Sequence, residues 1–103
     1  WYAQHGYEVI ARNFRSKRGE LDVVLLHGNE LVVCEVKARA NNAFGFAAEA
    51  VTPAKQLKVR RATHDFVEYL REHDAALHAR IHRTRFDVAT MTGTNLEVLV
   101  NAF

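Results

Sequence analysis

"ELDVVLLHGNELVVCEVKA" (residues 20–38) holds two runs of apolar residues on either side of Gly28-Asn29. Each run is strand-length and rich in Val and Leu. Glycine at the first central position suits a type II′ turn, which needs a positive φ there. A two-residue turn at Gly28-Asn29 sets the register of the hairpin. It places Asp22 opposite Glu35 and Glu20 opposite Lys37, and period-two alternation puts all four charges on one face. The reverse face carries Leu21, Val23 and Leu25 against Val32, Cys34 and Val36. On the charged face, Val24 with Val33 and Leu26 with Leu31 are apolar pairs. The expectation is a sheet buried on both sides, with its charges gathered at one end.

Two carboxylates directly opposite each other on neighbouring strands have Cβ atoms ~5 Å apart. At an effective dielectric of ~20 their repulsion is on the order of 3 kcal/mol. Something must offset it: a shared proton, a nearby ammonium, or a divalent cation held between them. Lys37 supplies a positive charge on the same face. Spacing alone leaves three readings open, namely a metal pair, a solvated cluster of ion pairs, and a buried structural network.

Working outward, "GYEVIARNF" (6–14) is a strand rich in β-branched and aromatic residues, and "SKRG" (16–19) is a turn. Thr52-Pro53 starts a helix, with Thr52 as cap and Pro53 at the first helical position. Val59, Ala62, Phe66, Tyr69 and Leu70 form its apolar stripe and carry it to about His73. Residues 83–92 and 96–103 are two further strands around Gly93-Thr94-Asn95. Trp1 to Gly6 have the character of the last turn of a helix that begins upstream. Strand, hairpin, long helix and two strands make an α/β (α+β) domain with a mixed sheet.

The chain has 103 residues, enough for one domain and a single core, with 49% hydrophobic and 25% charged residues. No apolar run approaches the ~18 residues of a membrane span, so no membrane partner is expected. "WYAQHGYEVI" (1–10) lacks the basic and apolar regions of a secretion signal, and a single cysteine, Cys34, fits a reducing cytoplasm.

Net charge is only +2, but the basic residues are grouped. Arg12, Arg15, Lys17 and Arg18 fall together, followed by Lys37 with Arg39, then Lys55, Lys58, Arg60 and Arg61, then Arg80, Arg83 and Arg85. A fold that gathers two of these groups makes a stripe able to follow a phosphate backbone. Lys55 precedes Val59, Ala62 and Phe66 by helical spacings, so it lies on the sheet-facing stripe beside the helix N-terminus, a place that suits a phosphate. Cys34 belongs to the core. His78 and His82 have i, i+4 spacing but no suitable third ligand, and Asp87 is expected to partner Arg85 or Arg83. Phe44 and Phe46, around Gly45, are expected to pack over the end of the sheet, with base stacking as the alternative.

Asp22, twelve residues, then Glu35-Val36-Lys37 on a hairpin resembles the core motif of the PD-(D/E)XK nucleases. More narrowly, "ARNFRSKRGELDVV" (11–24), "LVVCEVKAR" (31–39), "FGFAAEAVTPAKQ" (44–56), "RFDVAT" (85–90) and the terminal "NAF" resemble the YraN-like family, an uncharacterised group distantly similar to archaeal Holliday-junction resolvases. The resemblance implies a restriction-endonuclease-like αβββαβ core, its first helix largely missing from this chain, acting on phosphodiesters with Mg²⁺ or Mn²⁺. It implies Asp22 and Glu35 as the metal-binding acidic pair, completed by the Val36 carbonyl, and Lys37 as the catalytic lysine. Gln56 matches a helix-borne glutamine of related nucleases. The pattern departs at Leu21, where the motif has proline, and at Arg60, where some relatives have tyrosine. The acidic residue that resolvases carry on the first helix has no counterpart.

The resulting expectation is a metal-dependent nuclease-fold protein bound to nucleic acid, DNA rather than RNA, with branched or damaged DNA as the candidate substrate. Arg12, Arg15, Lys17, Arg18, Arg39, Lys55 and Gln56 are the candidate nucleic-acid contacts, and Glu20 is a further acidic candidate. The alternatives are a non-catalytic nucleic-acid-binding module on the same fold and a protein-interaction domain. The likeness to resolvases also admits a homodimer.

Overall fold

A computed structural model describes residues 1–39 and 51–103. Among these, strands β1 (Glu8–Ser16), β2 (Gly19–His27), β3 (Glu30–Arg39), β4 (Arg83–Thr92) and β5 (Asn95–Leu99) form one sheet in the order β1-β2-β3-β4-β5. β1, β2 and β3 run as an antiparallel meander, β3 and β4 are parallel, and β4 and β5 close a hairpin. A parallel pair needs a crossover, and helices α1 (Pro53–His73) and α2 (Ala75–Arg80) lie in that connection. This is the mixed-sheet α+β class read from the sequence, and its βββαβ order is consistent with a restriction-endonuclease-like core.

Local chemistry accounts for the boundaries. Gly28 takes φ +62° while Asn29 keeps an ordinary backbone, which matches the type II′ turn. Thr52 Oγ1 accepts the Lys55 N–H at 3.2 Å and Pro53 opens α1. Asp74 ends α1 and caps α2 through the Leu77 N–H. The N-terminal residues form a 3-10 turn, Ala3–His5, closed by Gly6 at φ +80°.

One face of the sheet packs on α1. Leu21, Val24, Leu31 and Val33 meet Val59, Ala62, Phe66 and Leu70, and Phe14 stands edge-on to Phe66 at 5.0 Å. Each fully buried Leu or Phe contributes about 1.5–3 kcal/mol. The helical stripe differs from expectation at one position. Tyr69 is exposed and stacks on His73, while Thr63 is buried and returns its hydroxyl to the Val59 carbonyl.

The reverse face holds Leu25, Val32, Cys34 and Ala89 beneath Tyr2 and Tyr7. It is only partly covered: Val36 is 46% exposed and Val9 41%. Leu21 also changes side, joining Val24 in the α1-facing core rather than Val23 and Leu25. β1 is irregular opposite this stretch: its pairing shifts register between Val9 and Ala11 and Asn13 adopts φ +53°, while Ala11 opposite Val24 and Phe14 opposite Leu21 pack into the same core.

Asp87, fully buried, anchors the far end of this face. It accepts hydrogen bonds from Tyr2 Oη at 2.7 Å, from Arg85 at 2.9 Å through two nitrogens, and from the Asn101 N–H at 2.9 Å. The final strand is shorter than its apolar pattern suggests. After Leu99 the chain turns at Asn101, φ +56°, and Phe103 folds back to stack on Phe86 beneath the Arg60 guanidinium. No helix among the described residues is long and apolar enough to cross a membrane.

Candidate functional site

The β2–β3 ladder runs from His27 and Glu30 to Val23 and Cys34 in the register set by the Gly28-Asn29 turn. Continued by one more rung, it would set Asp22 opposite Glu35 as a simple cross-strand pair. The structure does something different. The Val36 N–H donates to Asp22 Oδ2 at 2.9 Å, and the Asp22 N–H donates to Glu35 Oε2 at 3.4 Å. Each carboxylate thus reaches across to a main-chain donor on the opposite strand. In an extended strand the N–H and C=O of one residue point to the same neighbour. With its N–H on Asp22, Val36 therefore turns its carbonyl to the same edge.

Glu35 is the buried member, 1% exposed, and Asp22 is half-buried. Burial, and then the nearby Asp22 carboxylate, push the Glu35 pKa upward, against the Asp22 N–H and the cations Lys55 and Lys37. Lys37 is shifted down, first by its contact with Lys55 and then by burial, while Asp22 and Glu35 pull it back up. Two ammonium groups from different elements therefore stand beside two carboxylates. This placement follows from β3 for Lys37 and from the capped first turn of α1 for Lys55. Asp22, Glu35 and Lys55 line a hollow of about 420 Å³ between β2 and α1, together with Glu20, Thr52 and Lys58.

Glu20 lies in this hollow but is not set against Lys37. Its strand partner is Arg15 on β1, and the two form an exposed ion pair at 3.4 Å. The basic turn after β1 divides its residues between two tasks. Arg18, itself exposed, grips Asp65 on α1 with two nitrogens and reaches the Arg61 carbonyl. That grip pulls the Asp65 carboxyl down to about 2. Gly19 sits so close to α1 that a Cβ there would lie 2.7 Å from the Lys58 carbonyl oxygen. With the turn clamped in this way, Arg15, Lys17 and Lys58 line a second hollow, which shares Gly19, Glu20 and Lys58 with the acidic one. The two adjoin at these three residues.

Other candidates are placed elsewhere. Arg12 lies on the reverse side of the sheet, in a hollow with Trp1, Asn13 and Val36 that also reaches Asp22. Gln56 Nε2 donates to the Val51 carbonyl at 3.1 Å and so closes the start of α1. The side chain of Arg39 and the pair Phe44 and Phe46 lie outside the described residues. Cys34 is a core residue whose thiol is pushed up to about 11, chiefly by burial. His82 sits against Asn29. Among the described residues no three Asp, Glu, His or Cys side chains converge as a metal cluster, so any ion here would rest on two carboxylates, a carbonyl and solvent. Lys58 stands out from the other members of its basic group by its spacing of three from Lys55, which puts both on one helical face.

The comparisons agree with one another. The model of "Uncharacterised protein family UPF0102" matches residues 1–91. A UPF0102 protein of Beutenbergia cavernae is 44% identical over 94 residues, covering 91% of this chain and 74% of the relative. One from Bifidobacterium longum is 38% identical over 92 residues, covering 88% and 70%. One from Herminiimonas arsenicoxydans is 38% identical over 99 residues, covering 96% and 73%. The YraN-like resemblance carried by the hairpin and its flanking motifs is therefore correct at the level of the family, and this chain is a member of the uncharacterised family UPF0102.

Proposed function

We propose that this domain binds nucleic acid and hydrolyses its phosphodiester bonds with the help of a divalent cation. The observation that carries the reading is the Asp22–Glu35 lock, in which a buried and a half-buried carboxylate are fixed by each other's main chain at the end of a cationic groove. A structural pair would be expected to face a matching guanidinium, as Asp87 faces Arg85. Here the buried Glu35 has only main-chain and more distant ammonium support, and its pKa is raised.

The donor set fits Mg²⁺ or Mn²⁺. Both carboxylates and the Val36 carbonyl are hard oxygen donors, and a cation between them would relieve the repulsion that raises Glu35. Asp22, Glu35 and the Val36 carbonyl would hold it. When bound, such an ion supplies Lewis-acid polarisation of a phosphoryl oxygen and a lowered pKa for coordinated water. The chain's own residues do the rest. Lys37 is placed to orient the attacking water or to stabilise charge developing on the phosphoryl oxygens. Lys55, beside the α1 N-terminus, holds a neighbouring phosphate, and Lys58, Lys17 and Arg15 continue the cationic path away from the centre.

The test is a cleavage assay on single-stranded, duplex, flapped and four-way DNA and on RNA, with Mg²⁺ or Mn²⁺, beside the Asp22→Asn variant. Metal-dependent cutting that disappears in the variant supports the nuclease reading and names the substrate class. Salt-sensitive binding without cutting would instead assign the fold to a binding module.

A further inference from the structure

Glu20 belongs to both hollows beside α1. It lines the acidic one with Asp22, Glu35 and Lys55, and the basic one with Arg15, Lys17 and Lys58. In the structure its carboxylate is engaged by Arg15, whose Nε stands 3.4 Å from Oε2. The two residues are strand partners on β1 and β2, so the backbone sets them opposite each other while their side chains stay free to part. The pair is open to solvent, with the Arg15 side chain 78% and the Glu20 side chain 45% exposed. An ion pair so accessible to water and salt is weak and parts at little cost. Held by Arg15, Glu20 stands apart from Asp22 and Glu35: among the described residues no three acids converge.

A phosphate running through the basic hollow competes with Glu20 for the same guanidinium. Two oxygens of a phosphodiester match the planar fork of Arg, and the phosphate repels the carboxylate beside it. A displaced Glu20 still borders the acidic hollow, where its negative charge adds to those of Asp22 and Glu35. A divalent cation there turns that repulsion into attraction.

We propose that Glu20 is a transferable ligand, passed from Arg15 to the divalent cation when a phosphate takes Arg15. The inference rests on the cation-dependent reading above and gives Glu20 a place in it. Asp22, Glu35 and the Val36 carbonyl would hold the ion, and Glu20 adds a third carboxylate once a strand is bound. Linkage then requires that the phosphate tighten the cation and that the cation tighten the phosphate by the same factor. Without a strand the site holds its ion weakly, and the strand itself completes the oxygen set.

The test begins without nucleic acid. Mn²⁺ is titrated into the protein and the free ion is followed by its electron paramagnetic resonance signal. Arg15→Ala should tighten Mn²⁺ about threefold to fivefold by releasing Glu20, whereas Glu20→Gln alone should change it less than about twofold. Arg15→Ala also removes a positive charge, which favours a cation by itself. In the Glu20→Gln background the gain from Arg15→Ala should therefore fall toward one. Arg15→Lys keeps a partner for Glu20 and should bind Mn²⁺ as the parent does. A second titration follows a labelled oligothymidylate by anisotropy, with and without Ca²⁺. The strengthening by Ca²⁺ should be about threefold smaller in Glu20→Gln than in the parent.

An equal gain from Arg15→Ala with and without Glu20→Gln would overturn the transfer, as would a Ca²⁺ effect on strand binding that Glu20→Gln leaves unchanged. In either case the ion at Asp22 and Glu35, and the nuclease reading, would stand. Loss of Mn²⁺ in Glu20→Gln alone would make Glu20 a ligand from the start, and the transfer would again be wrong. No Mn²⁺ binding by the parent would count against the transfer and the nuclease reading together.

Discussion

The Asp22 carboxylate accepts the Val36 N–H at 2.9 Å, and Glu35, the residue before Val36, accepts the N–H of Asp22. A reciprocal bond of this sort fixes both acids without neutralising either. It therefore separates two effects that a substitution would ordinarily mix: the hydrogen bond and the charge.

Asp22→Asn keeps an oxygen for the Val36 N–H and removes the repulsion with Glu35. The metal-free variant should melt above the parent by an amount on the order of 1 kcal/mol, and stabilisation by Mn²⁺ should vanish. Asp22→Ala loses the bond as well and should fall below Asp22→Asn by about 1 kcal/mol. Thermal melts of the three proteins with and without Mn²⁺ check this. A metal-free Asp22→Asn less stable than the parent would mean that the carboxylate is held by a network of ion pairs.

Glu35 carries a pH signature. Its folded pKa is raised above the ordinary 4.5, so in the window above 4.5 the folded state binds more protons than the unfolded one. The contribution is fully present below 4.5 and is lost as pH rises through the folded value. Metal-free stability should accordingly decline with pH across that window. Glu35→Gln should remove the decline, and so should Mn²⁺ in the parent, because each removes the cost of the buried charge. Urea denaturation across this range, with and without Mn²⁺, is the measurement. An unchanged slope in Glu35→Gln would assign the titration to another group.

The clamp between Arg18 and Asp65 behaves in the opposite sense. Asp65 is drawn down from 3.8 to about 2 by the Arg18 guanidinium, so its contribution is present above 3.8 and is lost as pH falls toward 2. Asp65→Asn should lower the melting temperature at neutral pH, and the difference from the parent should shrink toward pH 2. The same variant should weaken binding of a DNA strand several-fold, because the turn carrying Arg15 and Lys17 loses its hold on α1. Melting curves over that range, with a binding isotherm at neutral pH, test both statements. Binding unaffected by a melted clamp would show that the turn lies outside the path of the strand.

The hairpin register was legible because Gly28 demands its turn, and the extent of α1 because Thr52, Pro53 and the stripe from Val59 to Leu70 are local signals. The faces were less legible. Leu21 changes side opposite an irregular stretch of β1, where the pairing shifts between Val9 and Ala11 and Asn13 takes a left-handed backbone, and no pattern within β2 records that. Asp22 and Glu35 were read as a direct cross-strand pair; their bonds to each other's main chain depend on where the ladder opens. Arg18 looked like its neighbours in the basic turn, yet its partner Asp65 lies 47 residues away, on α1. Arg85 with Asp87, two residues apart on one strand face, could be read directly.

Lys37 and Lys55 provide the sharpest division of roles. Lys55 is the first cause of the lowered pKa of Lys37, ahead of burial. Lys37 belongs to β3, next to the carboxylates, whereas Lys55 sits at the mouth of α1 and continues into the basic groove through Lys58. Lys37→Ala should leave strand binding within a few-fold of the parent and remove metal-dependent cutting. Lys55→Ala should weaken binding about tenfold and reduce its salt dependence by roughly one phosphate contact, with cutting retained at saturating strand. Binding isotherms at several salt concentrations, beside single-turnover cleavage, distinguish the two. A large binding loss in Lys37→Ala with cutting preserved would make it the phosphate anchor and pass the chemical role to Lys55.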